Sequence, residues 1–139
     1  MEMSYQELVT KFNVTFNKSR AGKIAVVTMD NGENYTKPNT FGYGGLSSLN
    51  EAMDKVNAEK DVKGMMLVGK PFIFAVGADL DGTHDIKTKD DGYKIGKAGH
   101  DAMKRILDLK FPTLAAINGA IMGGGMEIAL YCKYRTVSN

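Results

Sequence analysis

A chain of 139 residues that is 43% hydrophobic and 24% charged can bury one core and is too short for two ordinary domains. Its net charge is only +2 and its basic residues are scattered, so no nucleic-acid surface is expected. A single cysteine, Cys132, excludes an internal disulfide, and with only His84 and His100 beside it a Cys/His zinc site is not expected.

Residues 1–11 hold Glu2 and Glu7 and no apolar signal core, and no later run reaches membrane-span length, which points to a cytoplasmic chain. Phe12, Val14 and Phe16 alternate as one strand, and residues 24–29 read as a second, more buried one. Asp30-Asn31-Gly32 turns the chain. Leu46, Leu49, Met53 and Val56 recur at helical spacing, so residues 45–57 form an amphipathic helix. Residues 62–68 make the next strand, and the β-favouring residues 72–76 lead into the turn Gly77-Ala78-Asp79. Residues 81–92 are polar, with His84 among alternating Lys and Asp, and read as a mobile loop. From Tyr93 onward Ile95, Ala98, Ala102, Ile106 and Leu109 mark a second helix, stopped near Pro112. The short apolar stretch Thr113–Ile117, a glycine-rich turn and a helix through Glu127 follow, and residues 134–137 make a last strand. Cys132, just past that helix, reads as a buried core thiol, and the nine methionines as adaptable core filler. Strands alternating with helices behind an opening strand pair argue for an α/β fold with a largely parallel sheet and flanking helices.

Chemistry concentrates in two glycine turns. Gly123-Gly124-Gly125 lets the backbone approach a ligand closely, because no Cβ stands in the way. At a helix start it also leaves unpaired N–H groups at the positive end of the helix dipole, suited to a developing negative charge. Glu127 lies three residues beyond Gly124, one turn into the same helix, so its carboxylate can face whatever those donors hold. An oxyanion pocket beside a carboxylate reads as acid–base chemistry next to a carbonyl. The same residues also fit a plainer reading, with the glycines as a tight turn and Glu127 as a cap or dipole partner. Two turns giving one N–H each to one carbonyl oxygen are the minimal oxyanion hole, and Gly77-Ala78-Asp79 is the second such turn. Asp79 reads first as a cap for the segment after it.

Residues 74–80 together with residues 118–127 resemble the two signature segments of the enoyl-CoA hydratase/isomerase (crotonase) superfamily, in the family's order and each behind an apolar strand. Lys37-Pro38-Asn39-Thr40-Phe41 and Tyr134-Arg135-Thr136-Val137-Ser138 are most similar to the hydratase part of bacterial multifunctional fatty-oxidation α-subunits. The resemblance implies a crotonase-like spiral of ββα units, truncated, with residues 1–139 as the N-terminal part of a single such domain. It implies that the N–H groups of Ala78 and Gly124 surround the acyl thioester oxygen. Glu127 would be the first of two glutamates that handle water and its proton, the second lying in a segment past Asn139. Substrate contacts are implied for Ala75, Val76, Gly77 and Gly123, with Ala75 and Val76 meeting the adenine of coenzyme A. Lys37 falls near the coenzyme A phosphates, where a solvated surface role competes. Val76 stands where many members carry a smaller residue, which narrows the pocket.

The implied reaction adds water to the double bond of an α,β-unsaturated acyl-CoA in fatty-acid β-oxidation. No metal or separate cofactor is implied, since coenzyme A is part of the substrate. The implied partners are the acyl-CoA, further copies of the chain or the remainder of a larger polypeptide. An isomerase working with Glu127 alone, a non-catalytic CoA-binding or assembly fragment, and a partner-binding remnant stay open. Gly42-Tyr43-Gly44 lacks a third glycine and a preceding strand, so it is no dinucleotide fingerprint, and no phosphate loop or Gly-x-Ser-x-Gly turn occurs. His84 either borders the acyl pocket or is a solvated loop residue, and His100 reads as a surface or packing residue. Three structural expectations follow. Ala78 and Gly124 turn their N–H groups into one cleft with Glu127 on its wall; Glu127, near Ile121, Met122 and Met126, is partly desolvated; and apolar sheet and helix surface is left uncovered.

Overall fold

An antiparallel hairpin opens the fold, with β1 (Lys11–Ser19) against β2 (Gly22–Asp30) in a register that sets Lys11 opposite Asp30 and Ser19 opposite Gly22. The structure is a computed structural model that describes residues 5–139, and Glu2 of the N-terminal stretch lies outside the described residues. Along β2 the alternate residues Ala25, Val27 and Met29 are fully buried, the period-2 mark of a strand with one face on a core. α1 (Tyr43–Ala58) covers that face with Leu49, Ala52, Met53 and Val56, and carries the chain to β3 (Val62–Gly69), parallel to β2.

α1 has no side-chain cap from its own N-cap residue, Gly42. Glu7 supplies one from outside, its carboxylate accepting from the Gly44 N–H at 2.7 Å and the Gly45 N–H at 3.0 Å. The loop between β2 and α1 is held by Lys70. This buried lysine donates to Asn31 Oδ1, to the Glu33 carbonyl at 2.8 Å and to the Lys37 carbonyl at 2.7 Å. Burial lowers the pKa of its ammonium, against the pull of the Asp30 and Glu33 carboxylates.

β4 (Phe72–Ala75) leaves the main sheet and pairs in parallel with β6 (Gly119–Ile121) as a separate two-stranded sheet. Asn118 fixes the branch: its amide donates to the Gly69 and Lys70 carbonyls at 2.9 and 3.0 Å and accepts from the Gly69 N–H at 2.9 Å. The main sheet continues through β5 (Thr113–Ile117) to β7 (Tyr134–Val137), in the order β1-β2-β3-β5-β7, with every pair after the hairpin parallel. The expected α/β layout with a largely parallel sheet is therefore present. The glycine-rich turn differs from expectation in containing β6, a strand too short for periodicity to reveal.

Residues 81–92 are not a loop. A 3-10 turn spans Leu80–Asp85, and α2 runs over Lys89–Leu107, starting four residues before Tyr93. A capping box starts it, with Thr88 Oγ1 accepting from the Asp91 N–H at 3.1 Å and the Asp91 carboxylate accepting from the Thr88 N–H at 2.9 Å. Of the charges that suggested a loop, Asp90 pairs one turn on with Lys94 at 2.6 Å on the helix surface, as Lys97 does with Asp101 further along. Ala102, Met103 and Ile106 bury the C-terminal half of α2, and Arg105 ties it to α1 through the Asn50 carbonyl at 2.9 Å and Asp54 at 2.5 Å. α3 (Gly124–Tyr131) completes the set.

Candidate active site

Two backbone crossings build the site. Phe41 bridges the chain beside Ala78: its N–H donates to the Gly77 carbonyl at 2.8 Å, and its carbonyl accepts from the Asp79 N–H at 2.9 Å. This pairing uses the groups on either side of Ala78 and leaves the N–H of Ala78 directed away from Phe41. Gly77 makes the turn at φ +110 and Gly123 makes its counterpart at φ +47, conformations that a side chain disfavours. The two turns are packed together, since a Cβ on Gly77 would stand 3.5 Å from the Gly124 nitrogen. Gly125 N–H donates to the Met122 carbonyl at 2.9 Å and Glu127 N–H to the Gly123 carbonyl at 3.0 Å. Gly124, the first residue of α3, keeps its N–H as one of the helix's orphan donors. Among the described residues, neither the Ala78 nor the Gly124 N–H donates to a protein acceptor.

A cleft of about 360 Å³ brings Ala78, Gly124 and Glu127 together, walled by Phe41, Leu46, Ile95, Met103, Leu130 and by Gly96 and Gly99 of α2. A second lobe of about 150 Å³ shares Phe41, Leu46, Ala78 and Ile95 with it and runs toward Tyr5, Gly82 and Ile86. Burial pushes the Tyr5 phenol up to about 12, and the Asp79 and Glu7 carboxylates add to the shift. Glu127 is not desolvated as expected. It is exposed, because Met126 of α3 and Met122 of the turn before it (43% and 63% exposed) lie on an outer face that nothing covers among the described residues. Its carboxylate accepts no hydrogen bond and meets no cation among the described residues.

The other predicted residues scatter around this centre. Ala75 is fully buried, with its carbonyl accepting from the Met122 N–H at 3.1 Å, and Val76 is half-buried, donating to the Asn39 carbonyl at 2.9 Å. Gly123 is exposed at the start of α3. Lys37 lies outside the cleft lining; it is exposed and paired with Glu33 at 3.4 Å. Asp79 acts as a cap, its carboxylate accepting from the Asp81 N–H at 3.1 Å. His84 lines neither lobe.

The sequence model of the enoyl-CoA hydratase/isomerase family matches residues 19–139. The chain belongs to that family. It is 36% identical over 128 residues to the fatty acid oxidation complex subunit alpha of Shewanella halifaxensis, covering 89% of this chain and 18% of that protein. An enoyl-CoA hydratase/isomerase from Xanthobacter autotrophicus Py2 superposes with a TM-score of 0.75 at 23% identity, covering 91% of this chain and 46% of that one. An enoyl-CoA hydratase from Bacillus anthracis does so at 0.73 and 22%, covering 88% and 46%. These likenesses make the fold crotonase-like. The chain thus spans under a fifth of the length of the curated relative and about half of the solved structures.

Within this family fold, sequence reasoning missed one cleft residue of chemical interest. His100, on α2, lines the cleft with Glu127, and its Nδ1 lies 3.1 Å from the Tyr131 hydroxyl of α3. The available signal was spacing: Gly96, Gly99, His100 and Met103 share one side of a helix. Gly96 and Gly99 are helix-interior glycines, each costing roughly 0.5–1 kcal/mol relative to alanine.

Proposed function

We propose that this chain carries the carbonyl-polarising half of an enoyl-CoA hydratase site, acting on an α,β-unsaturated acyl-CoA of fatty-acid oxidation. The observation that carries the reading is the pair of unpartnered N–H groups, Ala78 and Gly124, in one cleft with Glu127. In this reading both N–H groups donate to the thioester oxygen. Each is worth about 3 kcal/mol in the transition state, by analogy with the removal of other oxyanion-hole donors. The polarised carbonyl draws electrons from the double bond, so the β-carbon accepts the oxygen of water. Glu127 takes the water proton as that bond forms, and the negative charge rests on the oxygen held by the two N–H groups. Glu127 then delivers that proton to the α-carbon, which restores the carbonyl, returns Glu127 to its carboxylate form and completes the addition of one water. The role of Ala75, Val76, Gly77 and Gly123 is to hold the coenzyme A portion along the same backbone, with Lys37 on its phosphates.

One further reading has a specific observation behind it. Glu127 is the one carboxylate lining the larger lobe among the described residues, which suits an isomerase that moves the double bond with a single acid–base group. The proposal extends to a cytoplasmic protein in which residues 1–139 open one crotonase-like domain, completed by further polypeptide or by other copies. The test is Glu127→Gln in the protein that carries this chain. Crotonyl-CoA hydration, followed by loss of the conjugated thioester absorbance, should fall by a factor of about a hundred or more while acyl-CoA binding stays nearly intact. Undiminished turnover would remove Glu127 from the mechanism, and migration of the double bond without hydration would select the isomerase.

A further inference from the structure

Nothing among the described residues requires Gly96 or Gly99 to be glycine. Neither has a positive φ, so any residue could adopt their backbone. A Cβ built on either meets nothing within 4 Å, so no neighbouring element among the described residues needs the space. Gly125 is the opposite case, where a Cβ would fall on the carbonyl of Ala75. Gly96 and Gly99 sit inside α2, where glycine is the least favourable residue after proline. What they share is the cleft: both line the lobe that contains Ala78, Gly124 and Glu127. The remaining walls of that lobe are mostly apolar, and the His100–Tyr131 contact at 3.1 Å joins its α2 and α3 walls.

We propose that Gly96 and Gly99 set the acyl-chain length the site accepts. An acyl tail leaving the oxyanion turn at Ala78 runs along the bare face of α2, in room that side chains at these two positions would fill. Longer tails gain by burying more methylenes against Ile95, Met103 and Leu130. The inference rests on the acyl-CoA reading above and deepens it, because it assigns selectivity to residues that neither polarise the carbonyl nor move a proton.

The experiment uses butyryl-CoA and octanoyl-CoA, which are saturated and so bind without being hydrated. Their dissociation constants are measured by titration calorimetry on the protein that carries this chain. The wild type is compared with Gly96→Leu, Gly99→Leu and the double alanine variant Gly96→Ala/Gly99→Ala. Leucine is nearly as good a helix former as alanine, so α2 persists in every variant. In the leucine variants the preference for octanoyl- over butyryl-CoA should fall about tenfold or more, the scale of discrimination expected when pocket room for methylenes is removed. The double alanine variant should melt at a higher temperature than the wild type. A wild type that binds both ligands but leucine variants with an unchanged preference would overturn the inference and leave the acyl-CoA reading standing. A lower melting temperature in the alanine variant would overturn it too, by showing that another segment packs on the glycines. A wild type that binds neither acyl-CoA would defeat the acyl-CoA reading, and the inference with it.

Discussion

The sheet side under α1 and the α3–β7 side are built from the same kinds of residue and differ in what covers them. Under α1, Val27, Met29, Leu49, Met53 and Leu67 are each 0% exposed. Around α3 and β7, Met122, Leu130 and Val137 are each more than 60% exposed, although they are as apolar. The cleft with Ala78, Gly124 and Glu127 opens on that second side. One side is therefore a finished core, while the other positions reactive groups on a surface that still offers apolar area for contact.

The largest expected effect contrasts the two sides directly. In residues 1–139, Leu67→Ala should cost about 3 kcal/mol in urea denaturation, as buried leucine truncations do. Leu130→Ala should stay within about 0.5 kcal/mol. Equal losses would mean that α3 is covered. The same Leu130→Ala measured in the longer protein sharpens the contrast, because its cost should rise there if further polypeptide seats on α3. At the joint between the sides, Gly125→Ala would press a methyl onto the Ala75 carbonyl and should cost about 2 kcal/mol. An unchanged melting temperature would show that β4 and α3 can part freely.

A smaller effect comes from Cys132, buried at the end of α3. Burial pushes its thiol up to about 11, with Arg135 pulling weakly the other way. The folded thiol thus keeps its proton to higher pH than the unfolded one. Stability is fully present below about pH 9 and falls as pH rises toward 11, by up to about 1.4 kcal/mol per unit. Cys132→Ala should flatten that slope in melts across this range, and a slope that survives would assign it to another group. Smallest is Thr88→Ala, which removes one half of the α2 capping box on the open side and should cost about 1 kcal/mol by thermal melting.

Legibility followed the same divide. Where an element has one covered face, as α1 and β2 do, apolar spacing placed it within a few residues. The start of α2 buries no residue and is held by Thr88 and Asp91 and by the Asp90–Lys94 surface pair, so its polar residues looked like a loop. β6 is three residues long, below what alternation can reveal. At the site, glycine spacing brought out Gly77, Gly123 and Gly124, because glycine is demanded there by backbone conformation or close packing. His100 was not distinguishable from a surface histidine, since its partner Tyr131 is 31 residues away. The external cap from Glu7 and the burial of Lys70 were hidden for the same reason, both depending on contacts 33 or more residues distant.

The central claim is that the Ala78 and Gly124 N–H groups hold a thioester oxygen. The direct measurement is the carbonyl stretching frequency of butyryl-CoA labelled with carbon-13 at the thioester carbon, free and bound to the protein that carries this chain. Two donors on one oxygen weaken the C=O bond, so the bound band should shift to lower frequency, and the shift should persist in Glu127→Gln. A bound ligand whose carbonyl band stays at its free position would contradict the account.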